Sequence, residues 1–469
     1  MAVDKTLAFA TIGELGAGLR AGTFTAVELA EFFLERLARL GREYNCVVTV
    51  TRTRALEQAR RADREFGDGK VRGPLHGIPF GVKDLIAAKG YPTSWGAAPF
   101  KDRVIDTDAT VVTRLERAGA VLAAKLSMVT FAGGFGYSSA NCTFSGPQYN
   151  PWDKRRFAGG SSSGPGAAVG GGMVPIAIGS ETSGSIISPA HYCGISGLRP
   201  TYGRVSRYGA MALSWTLDKL GPLCRSADDC GLVLAALAGP DENDRSAATR
   251  DYTYPPTDPP KPPFKLAMIK GCADKVQPEV QANFNESLAV LGGFSTIDEI
   301  ELPDLPFGTV IDTILSCEKA AAFEPVLKAG HFRQLTDPRT RQGAPYADLL
   351  IPARDYLNAM RLRGEMQRAI DELMAQYDAV LTPTLGIVAY PSDRNFSDYA
   401  GAKGIQHINM GSAANVVGLP GISIPNGFGE DHLPTGLNLI GRAFEENRLL
   451  AIANRYQNTT DWHRQHPQL

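Results

Sequence analysis

The sequence predicts an α/β protein built on a buried sheet, and three observations carry that reading. Apolar residues recur at helical spacing through residues 1–70 and again in later blocks. From residue 74 to about 240, and again over 411–457, the texture changes to short apolar runs punctuated by Gly, Pro and Ser, as buried strands and their loops require. Hydrophobic residues make up 43% of the 469 and charged residues 21%, which is enough apolar material for an ordered core.

In chain order, Thr25 followed by Glu28 is a capping-box pattern. Val27, Leu29, Phe32, Phe33, Leu37 and Leu40 then form an apolar stripe, with Gly41 as the expected stop. Gly77 to Lys83 and Ala120 to Lys125 have the composition of buried strands, and Val111 to Ala118 between them that of a helix ending at Gly119. The stretch 252–264 holds six prolines and is expected to be a surface excursion. Beyond it, strands are expected at Ala267 to Ile269, Thr296 to Leu302 and Ala379 to Leu381. Helices are expected at Gln277 to Leu291, Asp355 to Tyr377 and Glu445 to Tyr456. No internal repeat interrupts this order, so the chain is expected to form one domain over 1–469, with a helical N-terminal part (1–70) and a core at 74–240.

Composition excludes several classes. Lys and Arg number 48 against 49 Asp and Glu, a formal net charge of −1, which argues against a general polyanion binder and leads to the expectation of no nucleic-acid partner. No run of ~18 apolar residues occurs, so no membrane association is expected. The seven cysteines are scattered and odd in number, which fits free thiols in a reducing cytoplasm. The seven histidines form no HxxxH or HxH pair; neither a metal nor any other cofactor is expected.

The chemistry concentrates in Arg156 to Pro200, where serines cluster at 161–163 and 180–188 around the apolar run Met173 to Ile178. A phosphate cradle is disfavoured, because the segment has no GxxxxGK[ST] and no GxGxxG. Gly160-Ser-Ser162-Ser-Gly164 matches GxSxG, but a loop, Asn150 to Arg156, precedes it where a nucleophile elbow needs a strand. A serine nucleophile without histidine can use a neutral lysine as base, and lysine is neutral near pH 7 only when buried. Lys83 closes the apolar run Ile78 to Val82 and is the candidate. His76, His191 and Cys193 are expected to pack, and the arginines of the helix from Asp355 (361, 363, 368) to face solvent.

At these residues the chain resembles the amidase signature hydrolases. The resemblance rests on His76-Gly-Ile-Pro-Phe-Gly-Val-Lys83-Asp84, Asn150-Pro-Trp152, Gly159-Gly-Ser-Ser-Ser-Gly164, Gly179-Ser-Glu-Thr-Ser-Gly-Ser185 and Gly194-Ile-Ser-Gly-Leu-Arg-Pro200. Tyr377-Asp-Ala-Val-Leu-Thr-Pro383 and Gly418 to Pro425 extend it, in order, across nearly the whole chain. It implies a central mixed, twisted β-sheet surrounded by α-helices and a Ser–cis-Ser–Lys triad. Ser185 would be the nucleophile, Ser161 the proton relay after a cis Gly160–Ser161 bond, and Lys83 the base. Backbone amides of Thr182, Ser183, Gly184 and Ser185 would form the oxyanion hole, with Ser180 behind Ser161 and Lys83.

Departures from the family pattern bear on substrate. Ile187 stands in place of an arginine, Glu181 of a commoner Asp, and Ser163 of a commoner Gly; Ser127 and Thr130 also differ from the family's stretch there. Ala132, Gly133 and Gly134 are then expected to line the site, and loops around 126–148 and 303–350 to shape it. The resemblance implies a serine hydrolase that cleaves a C–N bond, of an amide or of a carbamate, or an aryl ester, through an acyl-enzyme. Its partner would be a small-molecule amide or carbamate, with the chain a monomer or homodimer. Two alternatives remain: the glutaminase-type subunit of a tRNA-dependent amidotransferase, and a non-catalytic binding protein on the same scaffold.

Overall fold

The computed structural model describes residues 5–341 and 344–469. Eleven strands form one continuous sheet: β1 Val47–Val50, β2 Pro79–Lys83, β3 Val121–Leu126, β4 Ile176–Glu181, β5 Ser196–Arg199, β6 Lys219–Cys224, β7 Phe264–Ile269, β8 Ser295–Ile300, β9 Ala379–Pro383, β10 Gly421–Phe428 and β11 Pro434–Ile440. Their spatial order is β1-β3-β2-β4-β6-β5-β10-β11-β9-β7-β8. Parallel pairings (β3-β2-β4 and β9-β7-β8) flank an antiparallel centre, so the sheet is mixed, as expected. Every residue of β2, β3, β4, β5, β6, β9 and β11 is buried. Strands covered on both faces need continuous apolar runs rather than alternation, which is the texture the sequence shows.

The capping box at Thr25 is present. Its hydroxyl accepts the Glu28 N–H at 3.0 Å, and the Glu28 carboxylate accepts the Thr25 N–H at 2.8 Å. The helix it opens, Ala26–Glu43, runs past Gly41. Gly41 is there because a Cβ would meet the Val47 side chain at 2.5 Å, so it marks close packing on β1 rather than a helix stop. The N-terminal part is therefore not wholly helical: β1, only four residues long, pairs antiparallel with β3. Later elements fall where expected within a few residues: Pro278–Gly292, Ala353–Met374 and Glu446–Thr459 are the helices. The stretch 303–350, expected as loop, instead holds the 22-residue helix Phe307–Lys328; residues 342–343 of it lie outside the described residues. No described helix is long and apolar enough to cross a membrane.

The fold positions the site through β2 and β4. They are parallel neighbours, with Val82 abreast of Ile178, so Lys83 and Ser180 leave the sheet at the same edge. The helix Ser163–Gly170 starts beside them, and its Gly164 N–H donates to the Ser127 carbonyl at 2.9 Å, just past the end of β3. A Cβ on Gly164 would fall on backbone atoms of Ser127 and on the Cys46 carbonyl, none of which can rotate away. Gly164→Ala is therefore expected to destabilise by more than ~3 kcal/mol, or to prevent folding, as read by urea unfolding.

Candidate active site

Lys83 is fully buried at the end of β2. Its Nζ donates to Ser161 Oγ at 2.8 Å and to Ser180 Oγ at 2.9 Å, and no carboxylate lies within ion-pair distance among the described residues. Burial pulls its pKa down to about 7, against the pull of Asp218 and Glu181, whose charges raise it. The next residue carries the opposite arrangement: the Asp84 carboxylate pairs with Lys125 Nζ at 2.9 Å and accepts the Ser94 N–H at 2.9 Å. Asp84 is thus committed elsewhere and leaves the Lys83 amine to hydroxyl partners.

The Gly160–Ser161 peptide is cis. The Ser161 carbonyl accepts the Val129 N–H at 3.1 Å, and the Ser162 N–H donates to the Ser185 carbonyl at 3.2 Å, tying the two serine clusters together. Ser162 Oγ both donates to the Ser180 carbonyl at 3.1 Å and accepts the Ser180 N–H at 3.3 Å, so this hydroxyl stitches the segment to β4. Ser163 Oγ donates to Gln148 Oε1 at 2.9 Å. Ser185 is buried, and no hydrogen bond joins its Oγ to that of Ser161 among the described residues.

The loop 182–186 is held from three sides by charged groups. Glu181 is fully buried; its carboxylate accepts the Ile186 and Ile187 N–H groups at 2.8 and 3.1 Å and pairs with Arg199 Nη1 at 2.8 Å. Arg199, aided by Lys219, holds Glu181 below the usual carboxylate range despite its burial. Thr182 Oγ1 donates to Asp218 Oδ1 at 2.5 Å, and the Thr182 carbonyl accepts Lys219 Nζ at 3.3 Å. Gly184 has a φ of +91°, which favours glycine at the crown of the turn. Among the described residues, the N–H groups of Thr182, Ser183, Gly184 and Ser185 donate to no acceptor in this loop. Downstream, Asn150 Nδ2 donates to the Tyr192 carbonyl at 2.7 Å and Trp152 Nε1 to the Cys193 carbonyl at 3.0 Å, fixing the helix Ile187–Cys193 that follows.

A cavity of about 260 Å³ reaches Ser180 and Thr182. Its wall includes Leu85, Ala132, Met211, Leu213, Trp215 and Leu220, with Arg207, Asp218 and Asp244 as charged members. Of Ala132, Gly133 and Gly134, Ala132 lines this cavity, in a left-handed backbone conformation at φ +56°. Gly133 lies under the Tyr137 ring, and Gly134 packs against Leu213 and Phe323 without lining the cavity.

His76, His191 and Cys193 pack as expected. His76 lies 3.0 Å from Glu65, His191 Nε2 is 3.1 Å from the Ile387 carbonyl, and the Cys193 thiol donates to the Ala158 carbonyl at 3.3 Å. Arg363 does not face solvent: it is buried and donates to the Val416 and Thr216 carbonyls. Sequence reasoning missed Asp218 and Lys219, and treated Glu181 only as a departure. The available signal was two charges entering the apolar run Leu220 to Cys224, the same feature that singled out Lys83.

The fold and this site define an amidase signature enzyme. The Amidase family profile matches residues 28–450, and the chain belongs to that family. A glutamyl-tRNA(Gln) amidotransferase subunit from Methylococcus capsulatus is 36% identical, covering 97% of this chain and 98% of that one. A chain from the vestigial protein complex that reveals the origins of an s-triazine catabolic enzyme superposes with a TM-score of 0.87 at 28% identity, covering 96% and 99% of the two chains. The native peptide amidase of Stenotrophomonas maltophilia gives 0.82 at 28% identity, with 96% and 97% covered.

These relatives correct one expectation. A small-molecule substrate alone, with no nucleic acid and a monomer or homodimer, does not stand when the curated relatives are named as subunits of amidotransferases for glutamyl-tRNA(Gln). The near-neutral balance of one chain could not decide the point, because net charge describes neither a local surface nor the other members of an assembly.

The Glu181–Arg199 pair yields a prediction. Glu181→Gln leaves the Arg199 guanidinium buried without a counter-charge, and is expected to lower stability by ~3–5 kcal/mol in denaturant titration.

Proposed function

We propose that this chain hydrolyses the C–N bond of an amide through an acyl-enzyme on Ser185, with Ser161 as proton relay and Lys83 as base. The observation that carries the reading is a fully buried lysine whose partners are hydroxyls rather than carboxylates. Burial favours the neutral amine, and only a neutral amine can accept a proton. Lys83 takes the Ser161 proton as Ser161 takes that of Ser185, whose Oγ attacks the carbonyl carbon. The Ser161–Ser185 contact closes with substrate bound, as hydrogen bonds in unliganded sites commonly do. The oxyanion forms against the free N–H groups of residues 182–185, donors of a kind worth ~2.7–4 kcal/mol each. Return of the proton through Ser161 releases the amine, and water then repeats the sequence on the acyl-enzyme.

Two readings of the substrate each have an observation behind them. The names of the relatives favour a glutamine-type carboxamide, with the chain as the glutaminase-type subunit of a tRNA-dependent amidotransferase. The mostly apolar cavity wall favours an amide with an apolar acyl group, or a carbamate or aryl ester presenting the same carbonyl. Ammonia release from glutamine, measured beside amine release from an apolar anilide and an aryl carbamate, separates them. The seven cysteines are all free, which supports a cytoplasmic setting for either.

Intact mass after treatment with a small fluorophosphonate, followed by peptide mapping, tests the site. A single adduct on Ser185 that is lost in Lys83→Ala supports it; an adduct elsewhere, or none on folded protein, overturns it. Ser185→Ala is expected to abolish turnover while keeping the fold. The pH profile of kcat/KM should rise through a single ionisation at about 7 to an alkaline plateau, because protonated Lys83 cannot act as base below it. A flat profile from pH 6 to 8, values bracketing that pKa, would remove Lys83 from the role.

A further inference from the structure

Lys219 opens β6, is buried, and is paired in register with Glu181 at the end of β4. Its Nζ has two acceptors: the Thr182 carbonyl at 3.3 Å and Asn415 Oδ1 at 2.9 Å. Asn415 is itself fixed, since its Nδ2 donates to the Gly411 carbonyl at 3.0 Å within the helix Gly411–Val417. The neighbouring Asp218 takes the Thr182 hydroxyl, so one residue of the loop is gripped at both its side chain and its carbonyl. A trans peptide is planar, with its C=O and the next N–H pointing in opposite directions. Holding the Thr182 carbonyl toward β6 therefore turns the Ser183 N–H away from β6. That N–H has no acceptor among the described residues.

We propose that Lys219 is a positioning residue for acyl transfer: by anchoring the Thr182 carbonyl it fixes the Thr182–Ser183 peptide so that the Ser183 N–H faces the developing oxyanion. This rests on the proposed acyl-enzyme at Ser185. The side chain does not line the cavity, and the partners of its Nζ are the Thr182 carbonyl and Asn415 Oδ1. Its effect is on how ready the donor is before substrate arrives, and a donor that must reorient during reaction loses much of its value. The charge balance around it is local: Glu181 and Asp218 are the carboxylates and Arg199 and Arg363 the cations that act on its amine.

The test is Lys219→Met, which keeps the length of the side chain and removes the donor. Active sites are titrated with the fluorophosphonate so that kcat is expressed per labelled Ser185. The expected result is a fall in kcat of ~10- to 100-fold, smaller than loss of a direct donor, with KM within about twofold of the wild type. An unchanged kcat per site, with Ser185 labelled in both proteins, overturns the role of Lys219 and leaves the acyl-enzyme standing. A rise in KM with kcat unchanged also overturns it, because that is the mark of a cavity-wall change. Failure of the wild type to label at Ser185 overturns the acyl-enzyme reading and this proposal together. If Lys219→Met does not fold, Asn415→Ala decides, since it removes one of the two acceptors that steer Nζ. A loss of ~3- to 10-fold in kcat at constant KM supports the proposal, and an unchanged kcat overturns it.

Discussion

The constraint on which the rest of this site depends is the burial of an amine with no counter-charge beside it. Lys83 sits at the end of β2 with two serine hydroxyls as partners, and among the described residues no carboxylate comes within ion-pair distance. Asp84, adjacent in sequence, is turned to Lys125. Glu181 and Asp218, which raise the Lys83 pKa from further off, are each occupied with other donors. Had either carboxylate reached Nζ, the ammonium form would dominate at neutral pH and the amine could not serve as a base. The cost is stability: a lysine whose pKa drops on folding weakens the fold below its unfolded value of about 10.4, and the deficit is full below about 7.

A second consequence is that the loop 182–186 cannot hold itself. Among the described residues its amides point at no backbone acceptor, and a turn with a left-handed glycine at its crown has little intrinsic preference for one conformation. The structure supplies that preference through charge. Glu181 takes the two N–H groups that close the loop, Asp218 the hydroxyl that opens it, and Lys219 the intervening carbonyl. Buried charges are expensive unless paired, so Arg199 accompanies Glu181 and the Leu213 and Ser214 amides accompany Asp218. The network trades some stability for a loop held in one conformation.

Legibility from sequence followed this division. Strands β2, β3 and β9 were readable because full burial leaves continuous apolar runs bounded by Gly and Pro. Lys83 was readable because a charge at the end of such a run is conspicuous. The edge strand β1 was not, being four residues between two helices with only partial burial to mark it. The helix Phe307–Lys328 was also missed: its apolar residues are spread around the barrel, and Pro325 sits inside it. The two charges of Asp218 and Lys219 stand out before the run Leu220 to Cys224, but what they bind lay hidden, because their partners are far off in sequence. Asp218 meets Thr182 thirty-six residues away and Lys219 meets Asn415 at a separation of 196, distances that no local pattern encodes.

The isoleucine at 187 shows how a departure can change local packing and spare the hydrogen bonds that hold the loop 182–186. An arginine at that position would put a cation next to the loop, and its replacement raises the question of what balances Glu181 and Asp218. Here the cations come from the sheet: Arg199 from β5 and Lys219 from β6, both buried and both within the field of Glu181. The backbone N–H of Ile187 still serves Glu181, and its side chain is buried in the helix start, so the change removes a charge without removing a hydrogen bond. Charge balance under the loop 182–186 is then independent of position 187. A side-chain change there acts on the packing of the helix start, while the ion pair and hydrogen bonds that hold the loop are anchored in the strands beneath it.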